Sequence, residues 1–411
     1  MKKAVFFMVL LVLFFPAIIL AADQPKASVS GYILFHFEDY INGPGMYSIV
    51  PDNAKTPTDY YRKSFSGYND FKLTRTYVHF KVQPTDKMKI QLTLDSYQDQ
   101  NFDSSKNKTG GYYYIYVKYG FLQYDWRPEV KARVGLVQYP WAEYIYNNVW
   151  PYLMMERGYF TYWGIFSTAD FGGSVFGSLL DDHLQYTAAI FNGGGYKAVE
   201  TDKNKEYLGM LLFQAGQKNK VNGSIASIYS HQTMGTHNNA GENWDKEGKN
   251  DTVAVGGVIN AYWLKLGGEY LYGAKTLRAD TVNFLPEVDP KRYPEGYFSA
   301  LKFGTRADRL LDIGEQKDVH YGGYAAYLVA SLSDKIDLVG RYDFYDPNFS
   351  SKYDNDSVQM WMSGLVYKFP GGVQASVDYR QYDFEGQDPD DDDVNEATPM
   401  QVIYTHWKIP F

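Results

Sequence analysis

The sequence predicts an all-β chain, a transmembrane antiparallel β-barrel of about sixteen strands with short periplasmic turns, long extracellular loops and the third loop folded into the lumen. Three observations carry the barrel itself. Apolar and polar residues alternate with period two through most of the chain. Short turns and long polar connections follow one another in regular succession. Beyond the N-terminal region, no apolar stretch reaches helix-spanning length.

At the N-terminus, Lys2 and Lys3 precede an apolar run from Ala4 to Leu20, closed by Ala21, Ala22 and polar Asp23. That order of charge, apolar run and small residues is the layout of a secretory signal peptide. An anchoring helix is the other reading, because the run approaches spanning length. The small residues and the lack of a basic cluster behind them favour cleavage near Ala21 or Ala22. The chain divides into a signal peptide, 1–22, and one barrel, 23–411. Composition agrees with export to a membrane: 18% of residues are aromatic, 39 Tyr stand against 37 Gly, and only 21% are charged. Tyr and Trp populate the interfacial girdles of barrels.

The absence of cysteine excludes disulfides, thiolate metal sites, a cysteine nucleophile and covalently attached haem. A formal charge of −8, made two units more negative once Lys2 and Lys3 leave with the leader, argues against nucleic acid as a partner.

Among the strands, Lys72 to Val82 sets Thr74, Thr76, Val78, Phe80 and Val82 on one face and Leu73, Arg75, Tyr77, His79 and Lys81 on the other. After Pro84-Thr85-Asp86-Lys87, Met88, Ile90, Leu92 and Leu94 alternate with Lys89, Gln91, Thr93 and Asp95, which reads as an antiparallel hairpin. Further short turns are expected at Tyr124 to Glu129, Asp181 to His183, Gln217 to Lys220, Ser333 to Lys335 and Pro370 to Gly372. Long connections are expected at Asn42 to Asn69, Gln98 to Gly111, Gln138 to Asp170, Gly193 to Lys205, Gln232 to Asp251, Thr276 to Val319, Asp346 to Asp356 and Gly386 to Ala397. The chain ends on Phe411, with Ile409, Trp407 and Ile403 at the same parity. This amphipathic strand with a terminal aromatic resembles the assembly signal of outer-membrane barrels.

A barrel of this size holds water, so the polar parity of each strand faces the lumen. Arg75, Asp95, Lys118, Arg133, Arg341 and Arg380 are thereby candidates for pore lining and selectivity, with Lys131, Lys265, Glu269, Asp343 and Asp378 on the same parity. The connection from Gln138 to Asp170 differs from the others. It carries Tyr139, Trp141, Tyr144, Tyr146, Trp150, Tyr152, Tyr159, Phe160, Tyr162 and Trp163, too much aromatic surface for a solvated loop. Folding into the lumen as a constriction hides that surface, and a subunit contact hides it too. The acidic run Asp388 to Asp393 suits either a calcium ion or a solvated, self-repelling loop tip.

No enzyme is expected. None of the seven histidines has metal-ligand spacing with another, and Gly173-Ser174-Val175-Phe176-Gly177 lacks the spacing of a nucleophile elbow. No metal or cofactor is expected either.

The stretch Ala132-Arg133-Val134-Gly135, continuing to Pro140-Trp141, Glu143 and Glu156-Arg157, resembles the core of the phosphate-selective porin O and P family. So do the segment Leu184 to Gly193, ending in Phe191-Asn192-Gly193, and the hairpin holding Arg75 and Asp95. The resemblance covers roughly the first half of the barrel. It implies a sixteen-stranded homotrimeric porin of the bacterial outer membrane with anion preference. It also implies Arg133 on the wall and Glu143 and Arg157 in the constricting loop, the loop whose aromatic residues include Tyr139 and Trp141. Two departures are Leu136, where the family carries Gln, and Trp141, where it carries Phe. Inward Arg and Lys also alternate here with Asp and Glu, and a mixed wall sets selectivity weakly.

The expected function is therefore passive diffusion of small hydrophilic solutes or ions, with a weak anion preference of the phosphate type. Outer-membrane lipid and lipopolysaccharide are the expected surroundings. Two other functions fit the sequence: a binding channel for aromatic or apolar nutrients, and a barrel sheath around a partner such as an electron-transfer cytochrome.

Overall fold

The computed structural model describes residues 26–42, 46–48, 61–63, 69–98, 102–103, 108–109, 113–197, 204–217, 220–234, 248–277, 317–346, 349, 357–384 and 399–411. The segment 1–22 and the run Asp388 to Asp393 lie outside the described residues.

Sixteen antiparallel strands close into one barrel. In chain order they are β1 (Lys26–Asn42), β2 (Asn69–Thr85), β3 (Met88–Gln98), β4 (Tyr113–Arg127), β5 (Val130–Gln138), β6 (Ala169–Leu179), β7 (Leu184–Phe191) and β8 (Glu206–Gly216), followed by β9 (Val221–Met234), β10 (Gly248–Ala261), β11 (Leu264–Leu277), β12 (Lys317–Ser333), β13 (Ile336–Asp346), β14 (Val358–Lys368), β15 (Gln374–Phe384) and β16 (Met400–Pro410). Each strand pairs with its sequence neighbours, and β1 pairs with β16 to close the seam. Closure leaves no free strand edge, so every ladder hydrogen bond is satisfied within the wall, as a lipid surround demands.

Phe411 completes the seam. Its amide donates to the Gly31 carbonyl at 3.0 Å, and the Gly31 amide donates back to the Phe411 carbonyl at 2.9 Å. A Cβ at Gly31 would stand 2.6 Å from the Phe411 ring and 2.1 Å from the Tyr77 carbonyl, so only glycine fits under the terminal aromatic.

Short turns occupy one end of the barrel and long connections the other. The β6–β7 turn places Leu180, Asp181 and Asp182 at φ of 55, 53 and 68 degrees, left-handed conformations without a glycine. The β10–β11 turn, Tyr262-Trp263, was not among the expected ones. Tyr262 stands at φ 54 degrees and both rings are exposed, so this turn carries none of the usual turn residues.

The wall is apolar outside and polar inside. Leu92, Val134, Val175, Leu211, Ile225 and Leu365 are exposed within their strands, away from both ends. Exposed aromatics flank that band: Phe71, Tyr113, Phe171, Tyr207 and Tyr272 toward the loop end, and Trp126, Tyr262, Trp263, Tyr367, Phe369 and Trp407 toward the turn end. Inward positions instead bury charge, with Asp95, Lys118, Glu269, Arg341, Asp343, Asp378 and Arg380 all nearly inaccessible. This is the reverse of a soluble protein. An aliphatic band between two aromatic girdles matches a bilayer, where Arg or Lys at mid-depth costs about 2–4 kcal/mol. Among the described residues no helix is long and apolar enough to cross a membrane, and the crossing is made by strands.

Candidate functional site

The site is the third long connection, 139–168, and the wall it meets. Its base is closed where the Tyr139 amide donates to the Thr168 carbonyl at 3.0 Å. Pro140 then opens α1 (Pro140–Tyr144), where a missing N–H is harmless. One π-helical turn, Ile145–Val149, follows, and a second short helix, α2, covers Tyr159–Tyr162.

Trp141, Trp150, Tyr159 and Phe160 have no solvent exposure at all, and Trp163 keeps 1%. Trp150 donates its indole N–H within the loop, to the Glu156 carbonyl at 2.8 Å, whereas the polar tips of Trp141, Tyr159 and Trp163 reach the inner wall and explain the direction of folding. Trp141 Nε1 donates to Glu269 on β11 at 3.0 Å, and Trp163 Nε1 donates to Asp343 on β13 at 3.1 Å. The Tyr139 hydroxyl donates to Glu206 on β8, and that of Tyr152 to Asp337 on β13. Tyr162 donates to the Tyr382 hydroxyl on β15 at 3.0 Å. Cations on the wall cap loop carbonyls: Lys265 Nζ donates to Asn148 at 2.9 Å, Arg341 Nη1 to Arg157 at 2.5 Å, and Arg380 Nη2 to Met155 at 2.6 Å.

Glycines on the wall make room for these groups. A Cβ at Gly256 would meet the Trp141 ring at 3.1 Å, one at Gly267 would meet Val149 at 2.7 Å, and one at Gly323 would meet the Tyr159 hydroxyl at 2.5 Å. Gly364 faces the Met155 methyl at 3.0 Å in the same sense. The loop is thus seated in sockets along β10 to β14.

Glu156 is the ionic centre of the seat. Arg380 Nη1 donates to its Oε2 at 2.5 Å, and Arg157 Nε stands 3.6 Å from its Oε1. Burial pushes its pKa up, but Arg380, Arg157 and Arg341 outweigh burial and hold the carboxyl at about 2.

The expected site residues fall into three settings. Arg133 and Glu143 come together as a two-pronged pair, Nη1 to Oε2 at 2.7 Å and Nη2 to Oε1 at 3.3 Å. Arg133 Nε also donates to Gln123 at 2.7 Å, and its guanidinium lies 4.5 Å from the Phe176 ring centre. Arg75, Asp95 and Lys118 gather on β2 to β4. Arg75 Nη1 is 3.9 Å from Asp95 Oδ2, and Asp95 also accepts from Tyr116 at 2.7 Å. Lys118 donates to Thr168, at the foot of the loop, and lies 3.5 Å from the Tyr196 ring centre. Arg75, Asp95, Lys197 and Arg157 are its electrostatic neighbours, so Arg157 joins this group from the loop side.

Arg341 and Arg380 differ from the water-facing role expected of them. Both project from the wall into the lumen, but they end beneath the loop at 3% and 2% exposure. Arg341 is paired with Asp343 at 2.6 Å, and Arg380 with Asp378 at 2.7 Å. The cause is the docked loop, which covers β8 to β15 and displaces water from that side. Tyr139 and Trp141 likewise face this wall and are buried.

The sequence reading overlooked the anchoring roles of Glu206, Glu269, Asp337 and Asp343. Parity marks Glu269 and Asp343 as inward, but no local pattern names their partners on the loop. Inward glycine on successive strands was the available signal for the sockets. Among the described residues, no group of three or more His, Asp or Glu is placed to hold a metal ion.

No protein-family model matches the chain, and no curated protein matches it. Solved structures do. An anion-selective porin from Comamonas acidovorans superposes with a TM-score of 0.57 at 9% identity, covering 94% of this chain and 100% of that one. OmpF of Salmonella typhi, in a complex with daunomycin, gives 0.56 at 10% identity over 95% and 98% of the two chains. OmpT, an outer membrane protein of Vibrio cholerae in trimer form, gives 0.52 at 11% identity over 95% and 100%. Identities this low establish a shared fold, that of bacterial outer-membrane barrels.

Proposed function

We propose that the chain is a passive pore of the bacterial outer membrane that admits small hydrophilic solutes, with a weak preference for anions. The observation that carries this reading is the aromatic loop fastened to one side of a barrel that is apolar outside and polar inside. A loop held against β8 to β15 narrows the lumen and leaves the passage against β1 to β5. That remaining wall carries Arg75 and Arg133, the loop adds Arg157, and Lys118 stands behind them, buried under Thr168 and the Tyr196 ring instead of facing water as expected. Arg133 is neutralised by Glu143, Asp95 faces Arg75 and Lys118, and Arg157 shares Glu156 with Arg380, which also holds Asp378. The balance there is positive, which supports the weak anion preference. Binding of aromatic nutrients has less support, because the loop rings that suggested it are already packed against protein. A catalytic role has no support in the site's chemistry.

We further propose a homotrimer, in keeping with the Vibrio cholerae barrel described in trimer form; native mass spectrometry of the detergent-extracted protein checks it, and a monomer mass removes it. The pore itself is tested in planar bilayers. Stable ohmic conductance is expected, with a reversal potential of anion sign in a potassium chloride gradient. Folded protein that inserts without conducting would remove the pore reading. Arg157→Ala and Arg75→Ala are each expected to move the reversal potential toward cations. If neither does, the anion preference goes and the pore remains.

A further inference from the structure

Beneath α1, between the loop and strands β5 to β8, lies a cavity of about 400 Å³. It belongs to the short-turn half of the lumen, since Gly177, Ser178, Asp182 and Gln214 lie on its wall. Its size falls in the range of small-molecule sites, about 300–1,000 Å³. Its chemistry differs from that of the positive group around Arg75 and Lys118. The charged wall residues are Lys131 and Arg133 against Glu143 and Asp182, so the signs balance. Arg133 is further committed, with its donors directed to Glu143 and Gln123.

What the wall offers instead is neutral. The side-chain amides of Gln138, Asn147 and Gln185 line the cavity and hydrogen-bond to no other described residue. Each amide carries two donors and one acceptor. The ring of Phe176 adds apolar surface beside them. An inorganic anion finds no net positive charge here, since Lys131 and Arg133 stand against Glu143 and Asp182, and an apolar solute would strip water from three amides without replacing their hydrogen bonds. A molecule bearing many hydroxyls and no net charge satisfies both the amides and the Phe176 ring.

We propose that this cavity is a subsite for a neutral polyhydroxylated solute, a sugar or polyol of one or two rings. The proposal rests on the pore reading for the route by which the solute arrives. The test separates the two. The protein is held in lauryldimethylamine oxide, whose headgroup contains no sugar, and saturation-transfer NMR is recorded with D-glucose and with maltose. Transfer to the sugar ring protons is expected for the wild type. Gln185→Ala and Asn147→Ala should each weaken binding by about threefold to tenfold, the effect of one neutral hydrogen bond, and inorganic phosphate should not displace the sugar.

No transfer in the wild type, transfer undiminished in both variants, or displacement by phosphate overturns the proposal. Asn147 is exposed on the loop surface, so Asn147→Ala carries the test if Gln185→Ala fails to fold. Bilayer conductance of the same preparation distinguishes the outcomes. Conduction without transfer removes the subsite alone, and transfer without conduction removes the pore alone.

Discussion

Replacing Glu156 with Gln is expected to loosen the constricting loop at neutral pH. The carboxyl lies among Arg380, Arg157 and Arg341, which hold its pKa at about 2 against an ordinary 4.5. A displacement of that size corresponds to ~3 kcal/mol of preference for the ionised form in the docked loop. Because the docked pKa is depressed, this contribution is fully present above the ordinary value and is lost as pH falls through the docked value. Wild-type anchoring should therefore be constant from neutral pH down to the ordinary carboxylate range, then weaken toward about 2. Glu156→Gln should lack it throughout. Arg380 would retain Asp378 but leave its charge under-compensated beside Met155, and truncating a buried pair typically costs about 3–5 kcal/mol.

The assay is single-channel recording in planar bilayers over that pH range. The variant should give larger and noisier currents at pH 7, and the wild type should approach them only in strong acid. A variant as quiet as the wild type at neutral pH would refute the reasoning. So would a wild type that already loosens near pH 6, where Glu156 remains ionised.

Trp163→Ala removes a ring stacked on Tyr345 at 4.9 Å and the donor to Asp343, and should lower stability by about 3–5 kcal/mol in guanidinium titrations of the detergent-folded protein. Trp163→Phe should restore most of that loss, and equal losses in the two variants would contradict the packing argument. Leu211→Arg places a cation on the lipid-facing band and should cost about 2–4 kcal/mol in folding into vesicles, whereas a silent substitution would contradict the assignment of that face. Gly267→Ala fills the socket under Val149 and should cost about 1–3 kcal/mol, with the same enlarged current as Glu156→Gln; stability lost without a change in current would place the strain in the wall. Asp182→Gly relieves a left-handed residue in the β6–β7 turn and should raise the unfolding midpoint by the equivalent of about 1 kcal/mol, measured by thermal melting, and a lowered midpoint would show that the aspartate side chain holds the turn.

How much of this was legible beforehand depended on the range over which each cause acts. The hairpin from Lys72 to Leu94, the succession of short and long connections and the terminal Phe411 could be read directly, because lipid on one side and water on the other act on each residue independently of its distant partners. The inward position of Arg341 and Arg380 followed from the same alternation. Their burial did not, since it depends on a loop about 180 and 225 residues earlier in the chain, at the separations of the Arg341–Arg157 and Arg380–Met155 contacts. The Tyr262-Trp263 turn escaped because its geometry is imposed by the two strands it joins, against the preference of its own residues. The aromatic excess of 139–168 announced that the loop must hide, but a lumen and a subunit interface hide rings equally well. Only closure of the barrel, which brings Gly256, Gly267, Glu269, Gly323, Asp343 and Arg380 onto one inner surface, decided that the loop lies against β8 to β15. Alternation is a local consequence of solvent, whereas docking is a sum over contacts between segments that meet only when the sheet has closed.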